Sequence, residues 1–99
     1  MVKVDAFTIS GIELFFHSSD HKPEHFHARF RAKWEIRVYI QQTDLDQGLV
    51  FNYKSPRNFG KKFRGLSNEH RSELFSKVMQ YKDELLIEWN NKVCSTELV

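Results

Sequence analysis

The sequence predicts an α+β domain, in which a small antiparallel sheet of about four or five strands packs against one long C-terminal helix. Residues 25–32 and 34–40 each alternate apolar and polar side chains, as half-buried strands do. Residues 68–92 repeat apolar side chains every three or four positions, which is the period of a helix. Because the chain has 99 residues, we expect one domain with its core in residues 6–92 and a tail at 93–99.

The composition is that of an ordinary globular protein. Apolar residues make up 40% of the chain and charged residues 28%, which argues against a disordered chain. The single cysteine, Cys94, excludes an internal disulfide and a Cys-x-x-Cys redox or zinc motif. Residues 1–11 do not resemble a signal peptide, and no apolar stretch is long enough to span a membrane. We therefore expect a cytoplasmic protein with no membrane contact.

The register of the central hairpin follows from matching like faces of its two strands. A three-residue loop, Arg31-Ala32-Lys33, is required if apolar residues are to lie opposite apolar ones. The apolar pairs are then Phe30 with Trp34, Ala28 with Ile36 and Phe26 with Val38. The polar pairs are Arg29 with Glu35 and His27 with Arg37.

Three shorter strands complete the predicted sheet. Ser10-Gly11 is a turn signal, and we expect strands at residues 6–9 and 12–17 on either side of it. Residues 49–53 are rich in apolar and aromatic side chains and predict a further strand. Residues 54–66 contain one proline and two glycines, and we expect them to be irregular.

The C-terminal helix has a start signal and a wide apolar stripe. Ser67 or Asn68 can cap its N-terminus. The stripe consists of Leu74, Phe75, Val78, Met79, Tyr81, Leu85, Leu86 and Trp89. A stripe this regular is typical of a helix that packs on a sheet.

Positive charge is concentrated in the middle of the chain, although the net charge is +2. Residues 54–65 contain no acidic residue and five basic ones, namely Lys54, Arg57, Lys61, Lys62 and Arg64. Such a segment is either a solvated basic loop or a contact for an anionic partner.

The most unusual segment is a histidine cluster, since four of the five histidines lie within residues 17–27. Pro23 restricts the backbone there and leads into the strand that begins near His25. His25 and His27 are two residues apart on that strand, so we expect both rings on one face, directed away from the helix or into a groove at the sheet edge. Phe26 then faces the core.

One interpretation of this cluster is metal binding. His25 and His27 would supply two nitrogen ligands, and His21 or Asp20 a third. Zinc or another divalent metal accepts such a ligand set.

A second interpretation is acid–base chemistry on a phosphodiester. His25 and His27 would form the acid–base pair, because histidine titrates near neutral pH. Asp20 and His21 would orient that pair. Arg29 or Arg37, on the same strand face, would hold the phosphate.

The motif around these histidines resembles the domain-of-unknown-function family 4160, a set of small prokaryotic proteins. The matching residues are Gly11-Ile12, then Asp20-His21-Lys22-Pro23-Glu24-His25-Phe26-His27, and finally the helix that closes at Trp89. Glu24 departs from the pattern, because a second proline is usual at that position. The resemblance implies a small α+β domain, a toxin role in a two-gene module, and a small antitoxin-like partner protein.

The leading hypothesis is therefore a toxin-like protein that acts on RNA or another anionic target through its histidine and arginine face. The first alternative is a zinc-type metal centre built from His21, His25 and His27. The second alternative is a non-enzymatic interaction module in which the histidines are structural and bond to the fold itself.

Overall fold

A five-stranded antiparallel sheet and one C-terminal helix make up the fold, which confirms the predicted α+β class. The structure is a computed structural model that describes residues 1–93, apart from the side chain of Asn58. Residues 94–99 of the predicted tail, which include Cys94, lie outside the described residues. Among the described residues, no helix combines the length and apolar character needed to cross a membrane.

The strands lie side by side in chain order. They are β1 (Val2–Lys3), β2 (Glu13–Phe16), β3 (His25–Phe30), β4 (Trp34–Tyr39) and β5 (Phe51–Tyr53). A 3-10 helix follows at Pro56–Lys62, and the long helix α1 spans Asn68–Lys92.

The β3–β4 hairpin has the predicted register at every pair. Phe30 lies opposite Trp34, and His27 lies opposite Arg37. The three-residue loop closes through a hydrogen bond from the Lys33 N–H to the Phe30 carbonyl, 3.0 Å long. Arg31 takes the left-handed conformation, with φ 50°, where a glycine is usual in such a loop.

The first hairpin was predicted wrongly. Residues 6–9 form no strand beyond an isolated bridge between Ile9 and Ile12, and the strand that pairs with β2 lies earlier, at Val2–Lys3. Part of the reason lies in α1, because the Glu88 carboxylate accepts hydrogen bonds from the Asp5 and Ala6 N–H groups, each 2.7 Å long. The helix therefore satisfies the backbone donor of Ala6, the first residue of the predicted strand.

Helix α1 begins as predicted. The Ser67 hydroxyl caps it by accepting a hydrogen bond from the His70 N–H, at 3.1 Å. Its buried residues are Leu74, Val78, Leu85 and Trp89, all members of the predicted stripe. They pack with Phe26, Ala28, Ile36 and Val38 of the sheet. Each large apolar side chain buried there contributes roughly 1.5–3 kcal/mol.

Residues 54–66 are more regular than the sequence suggests. The 3-10 helix occupies the middle of this segment, and backbone hydrogen bonds attach its two flanks to β4 and to the β3–β4 loop. The Lys54 N–H donates to the Glu35 carbonyl at 2.8 Å, and the Arg64 N–H donates to the Lys33 carbonyl at 3.0 Å. These bonds are long-range and leave no periodic signal in the sequence.

The sheet has a second face, opposite the one that packs on α1. One row of side chains on it consists of Phe15, His27, Arg37 and Asn52, which lie opposite one another on successive strands. Phe15 and His27 are 4% and 1% exposed, so the second face is deeply buried at this end. The loop between β2 and β3 runs across this region and carries Asp20.

Candidate functional site

The loop before β3 is closed by hydrogen bonds between His17 and Asp20. The Asp20 N–H donates to the His17 carbonyl at 3.0 Å, and the His17 N–H donates to the Asp20 carboxylate at 3.1 Å. The Lys22–Pro23 peptide bond is cis. The two hydrogen bonds between His17 and Asp20 hold the Asp20 carboxylate beside the histidines at the start of β3.

One carboxylate oxygen of Asp20 contacts both strand histidines. Asp20 Oδ2 lies 3.0 Å from His27 Nε2 and 3.5 Å from His25 Nε2. Burial raises the pKa of Asp20, but hydrogen bonds from the His17 N–H and the His27 ring outweigh it, so this pKa lies below its ordinary value of 3.8. Asp20 is therefore a carboxylate at neutral pH.

The orientation of the His25 ring is fixed by the backbone. Its Nδ1 lies 2.8 Å from the Pro23 carbonyl oxygen, which can only accept a hydrogen bond. Nδ1 must then carry the proton, and in the neutral ring Nε2 keeps a lone pair. That lone pair belongs to the nitrogen nearest Asp20.

His27 is the most deeply buried member of the cluster. Its ring stacks on Phe15, with centroids 5.2 Å apart and planes 10° apart. Burial lowers the pKa of His27 to about 4, although the hydrogen bond to Asp20 opposes the shift, so the ring is neutral at pH 7. Its Nδ1 is buried and has no hydrogen-bond partner among the described residues. The nearby Glu35 Oε2 is 3.9 Å from that nitrogen.

Two groups of side chains in residues 1–93 bring three metal-ligand atoms within 4.8 Å of one another. The first consists of Asp20, His25 and His27. The second consists of His17, His27 and Glu35. His27 belongs to both groups, through one or the other of its two ring nitrogens.

The other predicted site residues, His21, Arg29 and Arg37, belong to neither ligand group. His21 is exposed and belongs to neither group, although it lines a surface groove of about 270 Å³ together with Asp20, His25 and Arg37. Arg29 lines a different cavity, beside Lys54. Four of the six residues predicted for phosphodiester chemistry thus share one groove, while His27 lies beneath the surface.

Sequence reasoning missed Glu35 and His17 as candidate ligands. Glu35 was assigned only as the partner of Arg29, although strand alternation and the hairpin register place it on the face that carries His27. His17 counted as part of the cluster, but its approach to His27, with ring centroids 4.4 Å apart, depends on the β2–β3 pairing. The register of the sheet was therefore the signal that could have identified Glu35 and His17 as candidate ligands.

The fold and the site define a small α+β domain with a buried cluster of histidines and carboxylates. The chain belongs to the family described as "Domain of unknown function (DUF4160)", which matches residues 11–77. The matched range includes the whole cluster. Neither the curated proteins nor the solved structures contain a match to this chain.

Proposed function

We propose that this protein is a metal-binding domain that holds a divalent cation such as zinc through Asp20, His25 and His27. One observation carries the proposal, namely that three ligand atoms converge within 4.8 Å on side chains that are largely withdrawn from water. Nitrogen and carboxylate oxygen are ligands that zinc accepts.

The spacing of the ligand atoms supports a tetrahedral ion. Ligands about 2.0–2.1 Å from zinc lie roughly 3.3 Å from one another at tetrahedral angles. Asp20 Oδ2 is 3.0 Å from one imidazole nitrogen and 3.5 Å from the other. An ion therefore requires shifts of a few tenths of an ångström for these pairs.

The partners of the opposite ring nitrogens also support this ligand set. Metal-bound histidines usually donate their other N–H to a carbonyl or carboxylate. The Pro23 carbonyl already holds the Nδ1 proton of His25. A metal at His27 Nε2 places the proton of that ring on Nδ1, which faces Glu35 at 3.9 Å. The proposal thus gives a role to a buried nitrogen that has no hydrogen-bond partner within residues 1–93 as the structure describes them.

The groove beside the cluster supports a centre with an accessible coordination position. Asp20 and His25 line it, together with the exposed Arg37. Three protein ligands plus one open position is the arrangement of catalytic rather than structural zinc sites. The arginine would favour an anionic ligand at the open position.

Metal content tests the proposal directly. Protein without a polyhistidine tag, purified without chelator, is predicted to hold one zinc per chain after zinc addition and dialysis. His25→Ala and Asp20→Asn should lose the metal, and His21→Ala, a matched control from the same loop, should retain it. A stoichiometry near zero in the wild type would contradict the proposal.

The same experiment tests whether the second ligand group, His17, His27 and Glu35, holds the metal instead. Loss of zinc in His17→Ala and Glu35→Gln, with full binding in His25→Ala, would move the centre to the other side of the His27 ring. If a variant fails to fold, the test is instead the binding of cobalt by the wild-type protein. Visible absorption of tetrahedral cobalt with nitrogen and oxygen ligands is expected, and its absence counts against the centre.

A second candidate function is phosphodiester chemistry in a toxin-like module with a small partner protein. The observation that favours it is the groove shared by His21, His25 and Arg37. His27 is unsuited to the predicted acid–base pair, because it is buried and its pKa is about 4. Growth arrest and RNA cleavage that depend on both His21 and His25 would support this function. Equal activity in His21→Ala and wild type would exclude the His21–His25 pair.

A further inference from the structure

A second site-like region lies around the β3–β4 loop and the 3-10 helix, and its lining does not include Asp20, His25 or His27. It comprises two neighbouring cavities of about 670 and 300 Å³, which share Ala32, Lys61 and Lys62 as lining residues. The basic residues that line them are Arg29, Arg31, Lys33, Lys54, Lys61, Lys62 and Arg64. We call these seven residues the basic surface.

The basic surface holds almost half of the positive side chains of the protein. The chain has 15 Lys and Arg against 13 Asp and Glu. Among the lining residues the one acidic side chain is Glu35, which pairs with Lys54 at 3.4 Å. Outside these residues the sequence holds eight basic and twelve acidic residues, a net charge of −4. The charge is therefore strongly polarised, and an anion is attracted to this surface in particular.

The local structure holds the charged groups in place. The Arg64 guanidinium donates through Nη1 to the Lys61 and Phe63 carbonyls, at 2.9 and 2.8 Å. A guanidinium has five N–H donors, so three are left for an anion. The backbone bond from Arg64 to Lys33 joins the 3-10 segment to the hairpin loop. This arrangement brings residues about thirty positions apart onto one surface.

We propose that the basic surface binds single-stranded nucleic acid. Two neighbouring cavities with shared lysines suit a chain of successive phosphates better than one isolated anion. The larger cavity is also lined by Phe59, whose side chain is only half-buried. An aromatic ring among cations is the combination that single-strand binders use to stack bases and follow the backbone. An acidic peptide would use the charge but would not need the ring.

The test is fluorescence anisotropy with a labelled 12-nucleotide oligouridine at several salt concentrations. The wild type should bind it, and affinity should fall steeply as salt rises, because phosphate contacts release counterions. Lys61→Gln/Lys62→Gln should weaken binding by at least tenfold and flatten the salt dependence. Lys3→Gln/Lys77→Gln removes the same charge from β1 and α1, and its affinity should stay within twofold of the wild type.

A third variant separates stacking from charge. Phe59→Leu keeps the net charge and should weaken oligouridine binding about fivefold or more, with the fold checked by its melting curve. The proposal is overturned if oligouridine does not bind at low salt, or if both double variants lose binding equally. Tighter binding of polyglutamate or of a 12-base-pair duplex would also overturn it, since neither needs the Phe59 ring for stacking.

Discussion

The two faces of the sheet bury similar residues for different purposes. On the face that packs on α1, Phe26 and Ile36 are fully buried within the hydrophobic core cluster. On the second face, Phe15 stacks on His27, whose Nδ1 has no hydrogen-bond partner in the described part of the chain. The first face is explained by the hydrophobic effect. On the second face, the buried nitrogen of His27, to which no described residue bonds, lowers the stability of the fold. A buried polar group of this kind is typical of a functional site.

The largest expected change in the free energy of unfolding is on the sheet face that packs on α1. Phe26→Ala should lower the free energy of unfolding by about 3–5 kcal/mol, because it removes a fully buried ring and leaves a cavity. Urea unfolding with and without zinc is the measurement. Zinc should restore little of the loss in this variant, since the damage lies in the core; full rescue by zinc would mean that the two faces are not distinct.

The dependence of stability on pH should arise from the second face of the sheet. The folded-state pKa of His27 is about 4, against 6.5 for an unperturbed ring. The unfolded chain then binds a proton between these values and the folded chain does not. Stability of the metal-free protein should be complete above about pH 6.5 and fall by about 3 kcal/mol as the pH drops to about 4.

Urea unfolding at a series of pH values measures this slope. His27→Gln is the matched control, because it cannot titrate in that window, and its stability should change less between pH 6.5 and 4. Parallel curves for the two proteins would show that the buried ring is not the source of the slope.

A smaller effect is expected at the carboxylate of the second face. Asp20→Asn should destabilise the metal-free protein by about 1–3 kcal/mol, because the contacts to His17 and His27 lose their charged acceptor. In contrast to Phe26→Ala, zinc should no longer stabilise this variant. Thermal melts with and without zinc test both statements, and a zinc-dependent rise in Tm equal to that of the wild type would contradict them.

The smallest effect is expected at the exposed histidine of the same loop. His21→Ala should change stability by less than about 0.5 kcal/mol, since the side chain is exposed. Its zinc affinity should equal that of the wild type in a calorimetric titration. A loss of affinity as large as that of His25→Ala would restore the ligand set predicted from the sequence, in which His21 takes part.

The faces also differ in how well the sequence predicts them. The register that places Phe30 opposite Trp34 follows from period-two alternation, and the start of α1 at Asn68 follows from a capping serine. These signals are local. The strand predicted at residues 6–9 was wrong, and its first backbone donor, the Ala6 N–H, instead bonds Glu88, about 80 residues away. No local pattern contains that contact.

The arrangement of the candidate site residues was predicted only in part, because some of it also depends on contacts that no local pattern contains. His25 and His27 share a strand, so spacing alone brings them together. The burial of His27 and the convergence of Asp20 depend on how the β2–β3 loop folds across the sheet. His21 and Asp20 are neighbours in sequence, but one side chain is exposed and the other reaches the histidines. A turn's composition does not determine which of its side chains points inwards.

X-ray absorption at the zinc edge of the dialysed, zinc-loaded protein tests the central claim most directly. The account predicts one ion per chain, bound by nitrogen and oxygen at about 2.0–2.1 Å, with outer-shell scattering from two imidazole rings. Zinc that is lost on dialysis, or a spectrum without imidazole scattering, would contradict the claim that the second face is a metal centre.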